Sequence, residues 1–260
     1  SSYDNIGILY AVQGDYDHAL SYYQKALAIH EKVLGFEHPD TASSYDNIGI
    51  LYAVQGDYEQ ALSYYQKALA IREKVLGSEH PDTARSYNNI GCLYYDQGDY
   101  AQALSYYQKA LAIHEKVLGL EHPDTATSYN NIGILYHDQG DYEQALSYYH
   151  KALAIYEKVL GLEHPDTATS YNNVGALYAV QGDYEQALIY NKKALAIREK
   201  VLGLEHPDTA RSYNNIGSLY YYQGDFSQAF DYFFKAYRVL KLKLNPNHPE
   251  LQTVYKNLKF

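Results

Sequence analysis

The chain has 260 residues, 47% of them hydrophobic and 20% charged, with a net charge of -10 when histidine is neutral. That balance excludes a disordered chain, and its sign argues against nucleic acid as a partner. Apolar runs are only a few residues long, and no charged segment precedes one at the amino end, so neither a membrane span nor a signal peptide is expected.

The composition is skewed, with 33 Tyr and neither Trp nor Met, as when one short unit has been copied. Gly7, Gly49, Gly91, Gly133, Gly175 and Gly217 recur at intervals of 42, each within a Ser-Tyr-(Asp/Asn)-Asn-(Ile/Val)-Gly context or its close variant. Residues 1–42 and 43–84 differ at four positions only: Asp17/Glu59, His18/Gln60, His30/Arg72 and Phe36/Ser78. The units start near 1, 43, 85, 127, 169 and 211, and residues 253–260 begin a seventh. Position 1 falls inside a unit and is not Met, so the expectation is one array that is a fragment of a longer protein.

Each unit predicts two helices. The first runs from Pro39 to Gln55, with Pro39 suited to the first helical position and Asp40 complementing the positive end of the helix. Its apolar face is Tyr45, Ile48, Gly49 and Tyr52. The second runs from Asp57, a good N-cap with Gln60 in capping-box register, to Leu76, and Gly77 ends it. Its expected face is Tyr58, Ala61, Leu62, Tyr65, Ala68, Leu69, Val75 and Leu76. Such short connections imply helix hairpins whose apolar faces only the next hairpin can cover. All 17 Gly belong to this scheme: first helices, Gln-Gly-Asp turns, or the ends of second helices. None remains for a phosphate-cradling loop, and no cofactor is expected.

Tyr3, Ile6-Gly7, Tyr10, Ala19, Tyr23 and Ala26 follow the pattern by which the unit resembles the tetratricopeptide repeat, usually about 34 residues long. Glu31-Lys32-Val33-Leu34 lengthen its second helix before Gly35, and the Pro usual after that helix is absent. With Ala-Ile-(His/Arg)-Glu-Lys-Val-Leu-Gly, His-Pro-Asp and Asn-Asn-Ile-Gly, the longer unit resembles the repeats of kinesin light chains. The resemblance implies an all-α, right-handed superhelical solenoid of six helix pairs plus a partial carboxyl-terminal cap helix. It further implies that first helices line a concave groove that binds extended peptides, in kinesin light chains through a ladder of asparagines.

Comparison among units shows the first helix varying mainly along one stripe. Its members are Ser43/Arg85/Thr127/Thr169/Arg211, Asp46/Asn88/Asn130/Asn172/Asn214, Ile50/Cys92/Ile134/Ala176/Ser218, Ala53/Tyr95/His137/Ala179/Tyr221 and Val54/Asp96/Asp138/Val180/Tyr222. Spacings of three or four residues place them on one face. That face is either a groove tuned to a ligand or a drifting solvated surface. Beside it, Asn89, Asn131, Asn173 and Asn215 do not vary. An amide offers both donor and acceptor, so this row fits either the backbone of a bound peptide or a bond between helices.

Glu-His-Pro-Asp at each junction supplies one His per copy, too few for a zinc site, and reads as a turn; no metal is expected. Cys92 with His137 and Asp138 has no spacing that brings the three together, the lone thiol is as well a surface group, and no catalytic residue is expected. Phe226, Phe230, Phe233 and Phe234 with a basic carboxyl end form either a cap or a docking surface. One cysteine and no Asn-x-Ser/Thr acceptor favour a cytoplasmic location.

The expected function is therefore an adaptor that binds a partner's peptide. Asn89, Asn131 and Asn173 would hold its backbone, Tyr95 and Tyr221 would give aromatic contact, and Arg85 and Arg211 would meet an acidic side chain. Two alternatives stand beside it: a sensor array of a larger enzyme or nucleotide-driven switch, and a scaffold that self-associates end to end.

Overall fold

The structure is a computed structural model that describes residues 2–259; Ser1, the first position of the first unit, and Phe260, the last of the partial seventh, lie outside the described residues. Among the described residues all regular structure is helical. The first helices of successive units are α1 (Ser2–Val12), α3 (Pro39–Val54), α5 (Pro81–Asp96), α7 (Pro123–Asp138), α9 (Pro165–Val180) and α11 (Pro207–Tyr222). The second helices are α2 (Tyr16–Val33), α4 (Tyr58–Val75), α6 (Tyr100–Val117), α8 (Tyr142–Val159), α10 (Tyr184–Leu202) and α12 (Phe226–Lys243), and α13 (Pro249–Asn257) opens the seventh unit. Two compact bodies result, one ending at Ser128 and the other beginning at Tyr129. In the first, α1 packs on α2, α3 on α4 and α5 on α6, with α2 against α3 and α4 against α5 at the junctions. In the second, the pairs are α9 with α10 and α11 with α12, joined through α8–α9, α10–α11 and α12–α13 contacts.

Local chemistry sets these boundaries. Asp57 caps α4 by accepting from the backbone N–H of Gln60 at 3.1 Å. The turn before it closes through the Asp57 N–H donating to the Tyr52 carbonyl at 2.9 Å, across Gly56 at φ 81°, a left-handed geometry that favours glycine. At the other junction Gly77 has φ 93°, and Thr83 donates back to its carbonyl at 2.8 Å. The junction histidine is the N-cap: the N–H of Asp82 donates to His80 Nδ1 at 3.1 Å, ahead of Pro81. Sequence reasoning gave Pro and Asp their helix-start roles and missed that of His.

The core repeats with the units. Ala61, Tyr65, Ile90 and Leu93 are buried together, with Tyr52, Leu62 and Tyr106 packed around them. The first-helix glycine is demanded by the second helix of its own unit, because a Cβ on Gly91 would lie 2.7 Å from the ring of Tyr107. The tyrosines are structural in the same repeating way: Tyr64 stacks on Tyr52 at 5.7 Å, with Lys67 over its ring at 4.8 Å. Position 75 departs from the expected apolar face. Val75 is 47% exposed, whereas Arg72, a charged residue three positions earlier, is fully buried.

In the carboxyl-terminal unit, α13 buries Leu251 and Val254 against Leu240. Phe233 is buried beside Gly217, whereas Phe226, Phe230 and Phe234 remain about half exposed.

Candidate functional site

The stripe read from the sequence borders cavities in both bodies. In the first, Asp82, Arg85 and Asn88 of α5 face His114 of α6 and Asp124 and Ser128 of α7 across a cavity of about 260 Å³. In the second, Asn172 of α9, Asp208, Arg211, Asn214 and Asn215 of α11 and Glu250 of α13 surround one of about 480 Å³, walled by Arg198 of α10. Tyr221 and Ser218 line a third, of about 220 Å³, with Asn257.

The asparagines form a ladder with one another. Asn173 Nδ2 donates to Asn130 Oδ1 at 2.8 Å, Asn215 to Asn172 at 3.0 Å and Asn257 to Asn214 at 3.0 Å. At the amino-terminal end, Asn47 donates in the same way to Asp4 at 3.3 Å, and Asn89 lies close enough to Asp46 to pull its pKa down against the effect of burial. At these junctions the invariant asparagine hooks a unit to the variable position of the unit before it. One donation does not exhaust an amide with two N–H groups and a carbonyl.

Both arginines expected to meet a carboxylate already have one. Arg85 Nη1 is 3.3 Å from Asp82. Arg211 places Nε 2.9 Å and Nη2 3.3 Å from the two carboxylate oxygens of Glu250, with Nη1 2.7 Å from Asp208, and these partners raise its pKa above the usual value. Both side chains remain more than half exposed, so a peptide carboxylate would compete with these partners.

Cys92 is half-buried. It receives hydrogen bonds from Tyr107 at 3.4 Å and Asn88 at 3.9 Å, and burial pushes its pKa up, which leaves it a poor nucleophile. His137 pairs through Nδ1 with its neighbour Asp138 at 2.9 Å and lies beside the Tyr142 ring. Tyr95 packs against Tyr100, and Tyr221, 40% exposed, contacts Tyr222 and Phe226. Asn131 sits half-buried on α7.

Behind the stripe lies a position that sequence reasoning passed over: His30, Arg72, His114, Tyr156, Arg198 and Leu240, one per second helix. His30 meets Ser44 at 2.7 Å, Arg72 meets Ser86 at 2.5 Å, His114 meets Ser128 at 2.9 Å and Arg198 meets Ser212 at 2.6 Å. Where the second helix carries Leu240, the facing residue is Val254 and the pair is buried and apolar. Arg72 also reaches Asp46, whose carboxyl is pushed up by burial while the guanidinium pulls it down. The sequence signal was a polar residue seven positions after Tyr65, on the apolar stripe of α4.

The tetratricopeptide repeat family's sequence profile matches residues 1–74, 47–116, 93–158, 124–200 and 166–242. The chain belongs to the tetratricopeptide repeat family. It is a protein–protein interaction module of repeated helix pairs, no catalytic family is indicated, and its repeats are of the kinesin light chain type. Similar solved structures include BtubC (BKLC) from P. vanneervenii, 24% identical over 90% of this chain and 92% of that one, with a TM-score of 0.71. A kinesin-light-chain-like protein of Podospora anserina with nearly identical TPR-like repeats is 25% identical over 80% of this chain and 99% of that one, TM-score 0.66. A STAND protein of Pyrococcus horikoshii with a tetratricopeptide repeat sensor shares the fold at 20% identity, with 98% of this chain on 37% of that one, TM-score 0.72. No curated protein matches the sequence significantly. Among the described residues no helix is long and apolar enough to cross a membrane, and no group of three or more His, Cys, Asp or Glu side chains is placed to hold a metal ion.

Proposed function

We propose that the stripe on the first helices binds an extended segment of a partner protein, in an adaptor role like cargo recruitment by kinesin light chains. The observation that carries this reading is that residues chosen for variability alone, Arg85 and Asn88 on α5 and Asn172, Arg211 and Asn214 on α9 and α11, border cavities. The asparagine amides supply donors and acceptors for a peptide backbone, and Tyr95 and Tyr221 flat apolar surface for its side chains. The ligand is not a run of acids. Arg85 is already paired, Asp82 and Asp124 stand across the same cavity, and further negative charge there is repelled.

The test is a screen of linear peptides against the purified protein, repeated with Asn88→Ala, Asn214→Ala and Arg85→Glu. Peptides selected by the parent should lose affinity for at least one variant, about 0.5–1.5 kcal/mol for each lost amide bond. Equal binding to all three, at unchanged helix content, would remove the stripe from the interface.

A further inference from the structure

The two arginine-bearing copies of the second-helix position are built alike but are completed differently. Arg72 is fully buried, holds Ser86 through Nη1, reaches Ser43 at 3.3 Å and pairs with Asp46, whose Oδ2 is 2.6 Å from Nη1. Arg198 occupies the corresponding place on α10 and holds the corresponding Ser212. The residue that corresponds to Asp46 is Asn172, which carries no charge and gives its carbonyl oxygen to Asn215. Thr169, in the place of Ser43, bonds back to the Pro165 carbonyl at 3.2 Å as Ser43 does to that of Pro39 at 3.3 Å. Among the described residues Arg198 has no carboxylate within ion-pair distance. Where the first copy has a carboxylate, the second has the cavity of about 480 Å³, with Arg198 and Asn172 in its wall.

We propose that Arg198 is the anchor of a carboxylate-binding site, in which a single Asp or Glu side chain of the bound peptide takes the place that Asp46 fills beside Arg72. This deepens the peptide-binding reading above and rests on it. A guanidinium has five donors in a planar fork suited to a carboxylate, and Ser212 engages one of its nitrogens. Burial lowers the pKa of Arg198, with Asp208 opposing and Arg211 adding to the effect, as expected of a partly desolvated cation short of a partner. The site takes one carboxylate and no more. Arg211 beside it is already paired with Asp208 and Glu250, and those two acids repel a second negative group.

The decisive variant is Asn172→Asp, which gives the second copy the carboxylate that the first already has and so fills the site from within. Arg198→Leu is the companion, since Leu240 shows that a second helix of this chain accepts leucine there. The probes are acetyl-Ala-Glu-Ala-amide and its Gln isostere, titrated to millimolar concentration and followed by NMR shifts. The Glu probe should bind the parent saturably and at least about tenfold more tightly than the Gln probe, and both variants should lose that preference while keeping the parent's helix content. Equal binding of the two probes, no binding of either, or a Glu preference that survives Asn172→Asp would overturn the site. If longer selected peptides still bind the parent through the first-helix stripe, the peptide-binding reading outlives that failure; if none does, both fall.

Discussion

Nη1 of Arg72 lies 2.6 Å from Oδ2 of Asp46, with side chains only 1% and 8% exposed. This ion pair joins the second helix of one pair to the first helix of the same unit's hairpin, and its serine partner, Ser86, belongs to the next unit, so one guanidinium ties neighbouring repeats together. Two charges out of water are tolerable only while each satisfies the other.

Asp46→Asn should therefore cost far more than a surface change. Removing one partner of a buried pair typically destabilises by about 3–5 kcal/mol, whereas replacing both with apolar residues is often neutral. Thermal melts of Asp46→Asn and of the double variant Asp46→Leu/Arg72→Leu should show a large drop for the first and a much smaller one for the second. A double variant at least as unstable as the single would mean that the pair contributes net stability.

The His114–Ser128 bond gives acid sensitivity. Burial is the main cause that lowers the pKa of His114 from 6.5, so below that value the unfolded chain binds a proton that the folded chain resists, and stability falls as pH drops. The pair His114→Leu/Ser128→Val copies the apolar solution at Leu240 and Val254. It should flatten the melting temperature's decline between about pH 6.5 and pH 5; an identical decline would assign the acid sensitivity to other groups.

Gly91→Ala inverts an ordinary rule. In an open helix the change stabilises by nearly 1 kcal/mol, but here the new Cβ would lie 2.7 Å from Tyr107, so overpacking of about 1–3 kcal/mol should dominate. Combining it with Tyr107→Ala relieves the clash, and the double variant should lose less than the sum of the singles. Strict additivity would show that the ring is not what excludes a side chain.

Much of this fold was legible because its signals are local and copied. Asp57, Gly56 and Gly77 act within a few residues of themselves, and the 42-residue spacing of Gly7 to Gly217 counts the units. What escaped depends on neighbours that a single helix pattern does not reveal. Val75 reads as core until the packing leaves it open, and Arg72 reads as surface until Asp46 and Ser86 enclose it. Arg211 looks available from its own helix, but Glu250, which holds it, lies 39 residues away. The stripe could be found by comparing units, and the asparagine ladder foreseen only as one of two alternatives, since an amide serves helix or ligand equally well.

The claim that the first-helix stripe is the interaction surface is tested most directly by site-specific photo-cross-linking. A photoreactive residue is placed at Ser218, beside the cavity that Tyr221 lines, and separately at Gln108, exposed on α6, and each protein is irradiated with a peptide selected in the screen. Covalent adducts from position 218 but not from position 108, competed away by unlabelled peptide, are the predicted result. Adducts from position 108 with none from 218 would move the interface to the second helices and contradict the account.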